Sequence, residues 1–356
     1  MSPRTSLSLP DLDTALARFP RTTLAHLPTP LDKLPRLSRN LGIDLYCKRD
    51  DQTGLAFGGN KTRKLEFIMG DVLAQGADTV ITWAGVQSNW CRQTAAAANK
   101  LGIKPVLVLF KRSGLPSEMD GNLLLDSLLG ADIRMIDLES GRKMMEFESL
   151  RDILDGIADE ERKAGRKPYI APIGGSAVEA SMTQPLGALG YLQAVSELQK
   201  QAAAQGFHMD VIVVATGSGG THAGLIAGVK LLCPETKLIA ISVSDDRATI
   251  SRCAKRIADQ ALQALGENVT TTDEDVIVYD EYFGAGYGLL NRETAEVVRR
   301  VAATEGVLLD PVYTGKAMVG LLDLVRRGEI PAGSNVVFMH TGGTPALFPY
   351  RQELLV

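Results

Sequence analysis

Little in the sequence points to a membrane, a nucleic acid or a metal ion. No stretch of about 18 consecutive apolar residues occurs, so no transmembrane helix is expected. The opening Met-Ser-Pro-Arg-Thr-Ser lacks the apolar centre of a secretion signal, and the Ser/Leu/Pro lead-in to about Leu12 reads as a flexible arm. The formal net charge is only −4, which gives no electrostatic reason to expect binding to nucleic acid or to an anionic membrane. The four cysteines, Cys47, Cys91, Cys233 and Cys253, show no paired spacing. They read as small buried apolar residues in a reducing cytoplasm, and neither as disulfides nor as zinc ligands. The four histidines, His26, His208, His222 and His340, are scattered and make no metal motif. What is present is ordinary for a globular chain: 356 residues, 45% apolar and 22% charged, enough for two domains.

Strand-like and helix-like segments alternate without a long-range repeat. Strand patterns at 79–84, 105–110, 133–136 and 169–172 are interleaved with helical patterns at 89–100, 122–129 and 142–164. A second series follows Gly174. It has a helix at 187–204, a strand at 211–215, a helix from about His222, a strand at 237–243, a helix at 249–265 and a strand at 276–279. Helices at 294–304 and 315–327 and a last strand at 335–340 complete it. Such alternation predicts parallel sheets with helical crossovers, hence an α/β fold. Gly58–Gly59 and Gly174–Gly175 read as linkers. A smaller α/β domain at 65–175 is expected inside a larger one made of 1–64 plus 176–356, with ligands at the carboxyl ends of the strands between them.

The most informative stretch is Gly58-Gly-Asn-Lys-Thr-Arg-Lys-Leu-Glu66. Two glycines let the backbone approach a flat ligand closely. From Lys61 to Leu73 the apolar residues recur at helical spacing, so Lys61 sits at a loop-to-helix junction. A helix N-terminus and partial burial both favour a neutral, nucleophilic amine, as a Schiff base with an aldehyde cofactor requires. The plainer alternative is a surface turn with a solvated lysine.

A second motif bears on that choice. Val211 to Ala215 reads as a buried strand, Thr216-Gly217-Ser218-Gly219-Gly220-Thr221 as a Gly-rich turn, and His222 as opening a helix. The N–H groups of such a turn form an anion site, with hydroxyl donors from Ser218 and Thr221. A dinucleotide fingerprint competes. Gly217 and Gly219 match its first two glycines and Asp245 or Asp246 could serve a ribose, but His222 stands where the third glycine belongs. The Gly-rich loop together with an activated lysine points to pyridoxal phosphate. A third loop, Val86-Gln87-Ser88-Asn89, follows a strand and opens a helix. Its N–H groups and the Ser88 hydroxyl suit a substrate carboxylate, and simple N-capping by Ser88 is compatible with that.

With these motifs, the chain resembles the D-cysteine desulfhydrase and 1-aminocyclopropane-1-carboxylate deaminase family of pyridoxal-phosphate enzymes, of the tryptophan synthase β-subunit-like fold (fold type II). Matching segments run through nearly the whole chain. They include Leu27-Pro-Thr-Pro-Leu31, Cys47-Lys-Arg-Asp-Asp51, Leu55 to Glu66, Gln87-Ser-Asn89 with Arg92-Gln-Thr94, and Leu186-Gly-Ala-Leu-Gly-Tyr191. Further along they include Ala215 to Gly224, Gly286-Tyr-Gly288, Asp310-Pro-Val-Tyr-Thr-Gly-Lys316 and His340-Thr-Gly-Gly-Thr-Pro345. The resemblance implies two parallel-sheet domains with pyridoxal 5′-phosphate in the cleft between them. It implies that Lys61 carries the cofactor and moves the α-proton. Asn60, Gly217 to Thr221, Asn89, Thr314 and Thr341 would contact the cofactor, Asn89 at its ring oxygen and Thr341 near its pyridine nitrogen. Gln87, Ser88, Asn89, Trp90 and Tyr287 would face the substrate, and Tyr313 would be an acid/base or orienting group.

The resemblance also bears on substrate. Cyclopropane-opening deaminases carry Glu after the tyrosine of Asp-Pro-Val-Tyr and Leu before Gly-Gly in the last loop. This chain has Thr314 and Thr341, the desulfhydrase-like pattern. Two departures stand out: Trp90 replaces the usual His or Gln, and the segment between Gly175 and Leu186 is longer than expected. The expected function is a lyase that eliminates the β-substituent of a cysteine-like amino acid, foremost D-cysteine, giving pyruvate, hydrogen sulfide and ammonia. L-cysteate sulfo-lyase and the cyclopropane deaminase are the alternatives. A nicotinamide oxidoreductase or a non-catalytic amino-acid- or cofactor-binding protein are alternatives of another class. A cytoplasmic homodimer is expected by family.

Overall fold

The computed structural model describes residues 8–355. In chain order the elements are α1 (Leu9–Leu16), β1 (Leu31–Lys33), α2 (Pro35–Leu41), β2 (Asp44–Lys48), α3 (Lys61–Ala74), β3 (Thr79–Gly85), α4 (Asn89–Lys100), β4 (Lys104–Lys111), α5 (Gly121–Leu128), β5 (Asp132–Asp137), α6 (Phe147–Lys163) and β6 (Pro168–Ile170). There follow α7 (Leu186–Ala204), β7 (Val211–Thr216), α8 (Gly220–Leu232), β8 (Lys237–Ser242), α9 (Arg247–Leu265), β9 (Ile277–Tyr279), α10 (Arg292–Glu305), α11 (Thr314–Arg326), β10 (Asn335–Met339) and α12 (Arg351–Leu354).

The strands make two sheets. One has the order β1-β2-β10-β7-β8-β9 and is parallel except for the β1–β2 pair. The other has the order β5-β4-β3-β6 and is parallel throughout. Parallel neighbours need crossover connections, and the intervening helices cover the sheet faces. That is why β7 is buried at every position and is apolar from Val211 to Ala215. One face of the larger sheet packs on α10 and α11 around Val213, Ile239, Leu321 and Val336. The other face joins the smaller sheet in a single apolar cluster that runs from Trp83 and Leu150 through Leu192 to Ile212.

Helices α3, α7 and α8 form the middle of that cluster, and glycines let them approach closely. A Cβ on Gly190 of α7 would lie 2.6 Å from the carbonyl oxygen of Arg63 in α3, and one on Gly224 of α8 would lie 2.2 Å from the carbonyl oxygen of Ala188. Because α3 packs on both α4 and α7, it belongs as much to one sheet as to the other.

Two expectations need correction, and three elements were not anticipated. The arm read to Leu12 contains the start of α1, with Leu12 fully buried in the main cluster; its first seven residues lie outside the described part. The helix read from Arg142 begins at Phe147, because Arg142 to Glu146 form a turn held by the Arg142–Asp152 ion pair. The N-terminal strands β1 and β2 and the helix α2 carry no periodicity long enough to announce them.

Candidate active site

Lys61 is the first residue of α3, directly after the N-cap Asn60. Its amine donates to Asn60 Oδ1 at 2.9 Å and lies 5.9 Å from the centre of the Tyr313 ring. Loss of hydration pushes it down to about 8, with Arg92 adding to the shift and Asp310 opposing it. About a tenth of the amine is therefore neutral at pH 7, far more than for an ordinary lysine. The helix behind it is anchored by a buried ion cluster. Arg63 donates to both oxygens of Asp50 at 2.8 and 2.9 Å and to Glu197, while Tyr191 donates to Asp50 at 2.6 Å. One turn on, Lys64 donates to the carbonyl of Gly174 at 3.0 Å, and burial holds its amine well below the usual lysine range.

The loop before Lys61 is tied to two others and to α4. Asn60 N donates to the Thr341 carbonyl at 2.9 Å, Asn60 Nδ2 donates to Thr221 Oγ1 at 2.9 Å, and Arg92 Nη2 donates to the Gly58 carbonyl at 2.9 Å. Gly59 and Gly342 touch back to back, since a Cβ on Gly342 would lie 2.7 Å from the Gly59 Cα. The lysine loop, the Gly-rich loop and the loop after β10 thus meet at one place.

The Gly-rich loop joins β7 to α8, as its pattern indicated. A Cβ on Gly217 would lie 3.8 Å from the Tyr313 ring, so the loop adjoins the same space. Ser176 braces it from the crossover segment: Ser176 Oγ lies 2.8 Å from Ser218 Oγ and accepts from Gly220 N at 3.2 Å. Among the described residues no acceptor pairs with the N–H groups of Ser218, Gly219 or Thr221, and the buried hydroxyl of Thr216 has no partner. Unpaired donors at a helix N-terminus suit a phosphate. His222, one residue on, is buried with neither ring nitrogen partnered, and burial drives it down to about 3, so it is neutral.

Ser88 is the N-cap of α4 and accepts from Cys91 N at 3.2 Å. Asn89 opens the helix, and its Oδ1 accepts from Asn122 Nδ2 at 3.0 Å. This helix start abuts that of α3, because Thr62 Oγ1 donates to Gln93 Oε1 at 2.9 Å. Two residues expected to face the substrate here are otherwise engaged. The Gln87 amide accepts from Asn122 N at 2.9 Å and donates to the Asp120 carbonyl at 3.0 Å, so it caps α5. Trp90 is buried in the main cluster. Its Nε1 donates to Thr82 Oγ1 at 2.6 Å and its ring tip packs on Gly175. An indole with a satisfied N–H behind the loop shapes the loop from below.

Tyr287 and Tyr313 come together as a pair, with hydroxyl oxygens 2.5 Å apart and rings edge to face at 5.8 Å. Burial raises both phenols above the usual tyrosine range, so both are protonated near neutral pH. Asp310, absent from the expected site residues, organises this end. Its buried carboxylate accepts from the N–H groups of Val312, Tyr313 and Thr314 and from the Thr314 hydroxyl. Thr314 was expected to contact the cofactor, but its hydroxyl is committed to Asp310. The Thr341 hydroxyl has no protein partner among the described residues and sits beside Asn60. The sequence signal for Asp310 was present in its Asp-Pro-Val-Tyr motif; Ser176 and Lys64 carried none. Tyr287 also walls a recess with Gln87, Arg112, Leu115, Val312 and Tyr350.

A lysine that loses its proton easily, a bank of free N–H donors at a helix N-terminus, a second helix N-terminus with Ser88 and a pair of protonated phenols fit an aldehyde- and phosphate-bearing cofactor and an amino-acid substrate. Comparison with known proteins agrees. A family model described as "Pyridoxal-phosphate dependent enzyme" matches residues 22–342. The chain is 43% identical over 346 residues to the "Putative 1-aminocyclopropane-1-carboxylate deaminase" of Pyrococcus abyssi, covering 97% of this chain and 98% of that one. It is 43% identical over 342 residues to the "D-cysteine desulfhydrase" of Salmonella schwarzengrund, covering 95% and 98%. A solved structure titled as an ACC deaminase homologue superposes with a TM-score of 0.86 at 41% identity, covering 97% and 98%. O-ureido-L-serine synthase, at 18% identity and a TM-score of 0.64 over 95% and 94%, shares the fold.

Proposed function

The chain belongs to the pyridoxal-phosphate-dependent enzyme family, as a lyase of the deaminase and desulfhydrase type with fold type II architecture, and from that premise we propose that it removes the β-substituent of a cysteine-like amino acid. D-cysteine is the foremost substrate, giving with one water pyruvate, hydrogen sulfide and ammonia.

Pyridoxal phosphate, when bound, supplies an electrophilic aldehyde and a ring that acidifies the substrate α-carbon. Lys61 would hold it, the N–H groups of 217–221 would take its phosphate, and Asn89 and Thr341 would line its ring. The division at 65–175 belongs to the same reading, with α3 shared by both sides of the cleft. The N-terminus of α4 and Ser88 hold the substrate carboxylate. The Lys61 amine takes the α-proton, for which it must be neutral. The Tyr287–Tyr313 pair holds a proton within reach of a departing thiolate.

The observation that carries the preference for elimination is the state of the Asp310 carboxylate. Four donors saturate it, and Thr314 follows Tyr313, so among the described residues no free acid stands beside the phenol pair. Proton traffic there falls to hydroxyl groups, which suits protonation of a leaving sulfide. A second reading, L-cysteate losing sulfite, is favoured by Arg112, a cation in the recess beside Tyr287. A cytoplasmic homodimer is retained on family grounds.

The test is to offer D-cysteine, L-cysteine, L-cysteate and 1-aminocyclopropane-1-carboxylate to the holoenzyme and to measure sulfide, sulfite, pyruvate and 2-oxobutyrate. Sulfide and pyruvate from D-cysteine are expected. Sulfite from cysteate would select the second reading, and 2-oxobutyrate from the cyclopropane acid would overturn the preference for elimination.

A further inference from the structure

One fully buried amine close to the site has no part in the chemistry above. Lys316 lies in the first turn of α11, three residues after Tyr313, with no exposed surface. Its Nζ donates to the carbonyl of Phe283 at 2.8 Å and to that of Gly286 at 2.9 Å. Both carbonyls belong to the segment between β9 and α10 that carries Tyr287.

That segment has no regular structure of its own. Gly284, Gly286 and Gly288 all have positive φ, at 66°, 139° and 76°. Its internal backbone bonds are long, at 3.4 Å from Gly286 N to the Phe283 carbonyl and 3.3 Å from Leu289 N to the Gly286 carbonyl. Shape is imposed from outside: Arg247 holds Asp280 and Glu281 at the start, Tyr282 donates to Asp323, Tyr350 donates to the carbonyl of Gly288, the Tyr287 and Tyr313 hydroxyls meet, and Lys316 donates to the carbonyls of Phe283 and Gly286. Only the last grips the residues immediately before Tyr287. Charge-assisted bonds from an ammonium are stronger than neutral ones. Burying the amine without a contacting carboxylate is costly, and its pull down to about 8 reflects that. A side chain that merely filled the space could be apolar at no such cost.

We propose that Lys316 is a positioning residue that fixes the Tyr287 loop onto α11 and so sets the Tyr287 hydroxyl against that of Tyr313. One ammonium and one phenol from the same end of α11 would then determine where the substrate-facing tyrosine stands. The proposal rests on the reading that this tyrosine pair faces the substrate, but the loop's attachment can be measured without any turnover.

The experiment compares the cofactor-loaded wild type with Lys316→Met, Lys316→Gln and Tyr287→Phe by hydrogen exchange and by kinetics on D-cysteine. In Lys316→Met the amides of 283–289 should exchange at least tenfold faster, while those of β10 and the last two turns of α11 stay within twofold. Lys316→Gln, which keeps donors without the charge, should fall between and covers the case in which the Met variant does not fold. Because the pair protonates the leaving group, kcat for D-cysteine should fall about tenfold with KM changed less than threefold. In the Tyr287→Phe background the Lys316 change should add less than twofold. Unchanged exchange in 283–289 in the folded variants would overturn the proposal, as would full additivity with Tyr287→Phe. Faster loop exchange with no turnover of D-cysteine by wild type would uphold the attachment and count against the substrate instead.

Discussion

Thr314 and Asp310 close a ring of hydrogen bonds at the start of α11: the Thr314 hydroxyl donates to Asp310 Oδ1 at 2.7 Å and accepts from Asp310 N at 2.8 Å. The ring makes Thr314 a brace for the Tyr313 turn. Thr314→Val keeps the shape and removes both bonds, leaving a buried N–H unpaired. Stability should fall by about 1–3 kcal/mol, read as a lower midpoint in urea. An unchanged midpoint would show that the ring contributes nothing.

Lys61→Ala should abolish both the cofactor absorbance of the purified protein and its turnover, while the cooperative unfolding transition persists, because Arg63, Asp50 and Glu197 anchor α3 without Lys61. A covalently retained chromophore in that variant would exclude Lys61 as the attachment point.

The Lys61 amine also predicts a pH dependence. Burial disfavours its ammonium form, so the midpoint for deprotonation is about 8, below the ordinary lysine value. Only the neutral amine attacks an aldehyde. Capture of pyridoxal phosphate by cofactor-stripped protein should therefore speed up about tenfold per pH unit below that midpoint and level off above it. Stopped-flow absorbance between pH 6 and 10 measures this, and a midpoint near 10 would mean the amine is solvated.

Trp90→Phe should cost about 1–2 kcal/mol through loss of the bond to Thr82, without changing which of the four candidate amino acids reacts. A switch of substrate in that variant would place the indole in the pocket after all.

Gly224→Ala drives a methyl group against the Ala188 carbonyl and forces α8 away from α7. A loss of about 1–3 kcal/mol is expected, where an exposed Gly→Ala change in a helix would stabilise, and thermal unfolding reads it directly.

The readable parts of the molecule are those whose chemistry is local. The helix read at 89–100 is α4 to the residue, and the lysine junction and the Gly-rich turn stand where strand, loop and helix patterns put them. Each signal is carried by consecutive residues. What escaped is set by contacts between distant segments. Trp90 was read with its neighbours as facing the substrate; its direction is decided by Gly175 and Thr82. Gln87 was read with Ser88 and does line the recess beside Tyr287, but the hold of its amide on the start of α5 has no local signal. Ser176 and Lys64 acquire meaning only once the crossover segment lies against the Gly-rich loop. The domain boundary was drawn through α3, a helix whose two faces serve different sheets, and no periodicity can reveal that.

The contact between Gly59 and Gly342 limits how the pocket can be re-engineered. Each glycine meets main-chain atoms of the other's loop, and a Cβ on Gly59 would also lie 2.7 Å from the Gln93 amide. Main chain cannot be trimmed to make room, so enlarging one residue has no compensating reduction in the other. A library aimed at new substrates gains nothing from sampling these two sites, separately or together. Variation belongs in the recess beside Tyr287, around Arg112 and Leu115, where side chains contribute to the boundary.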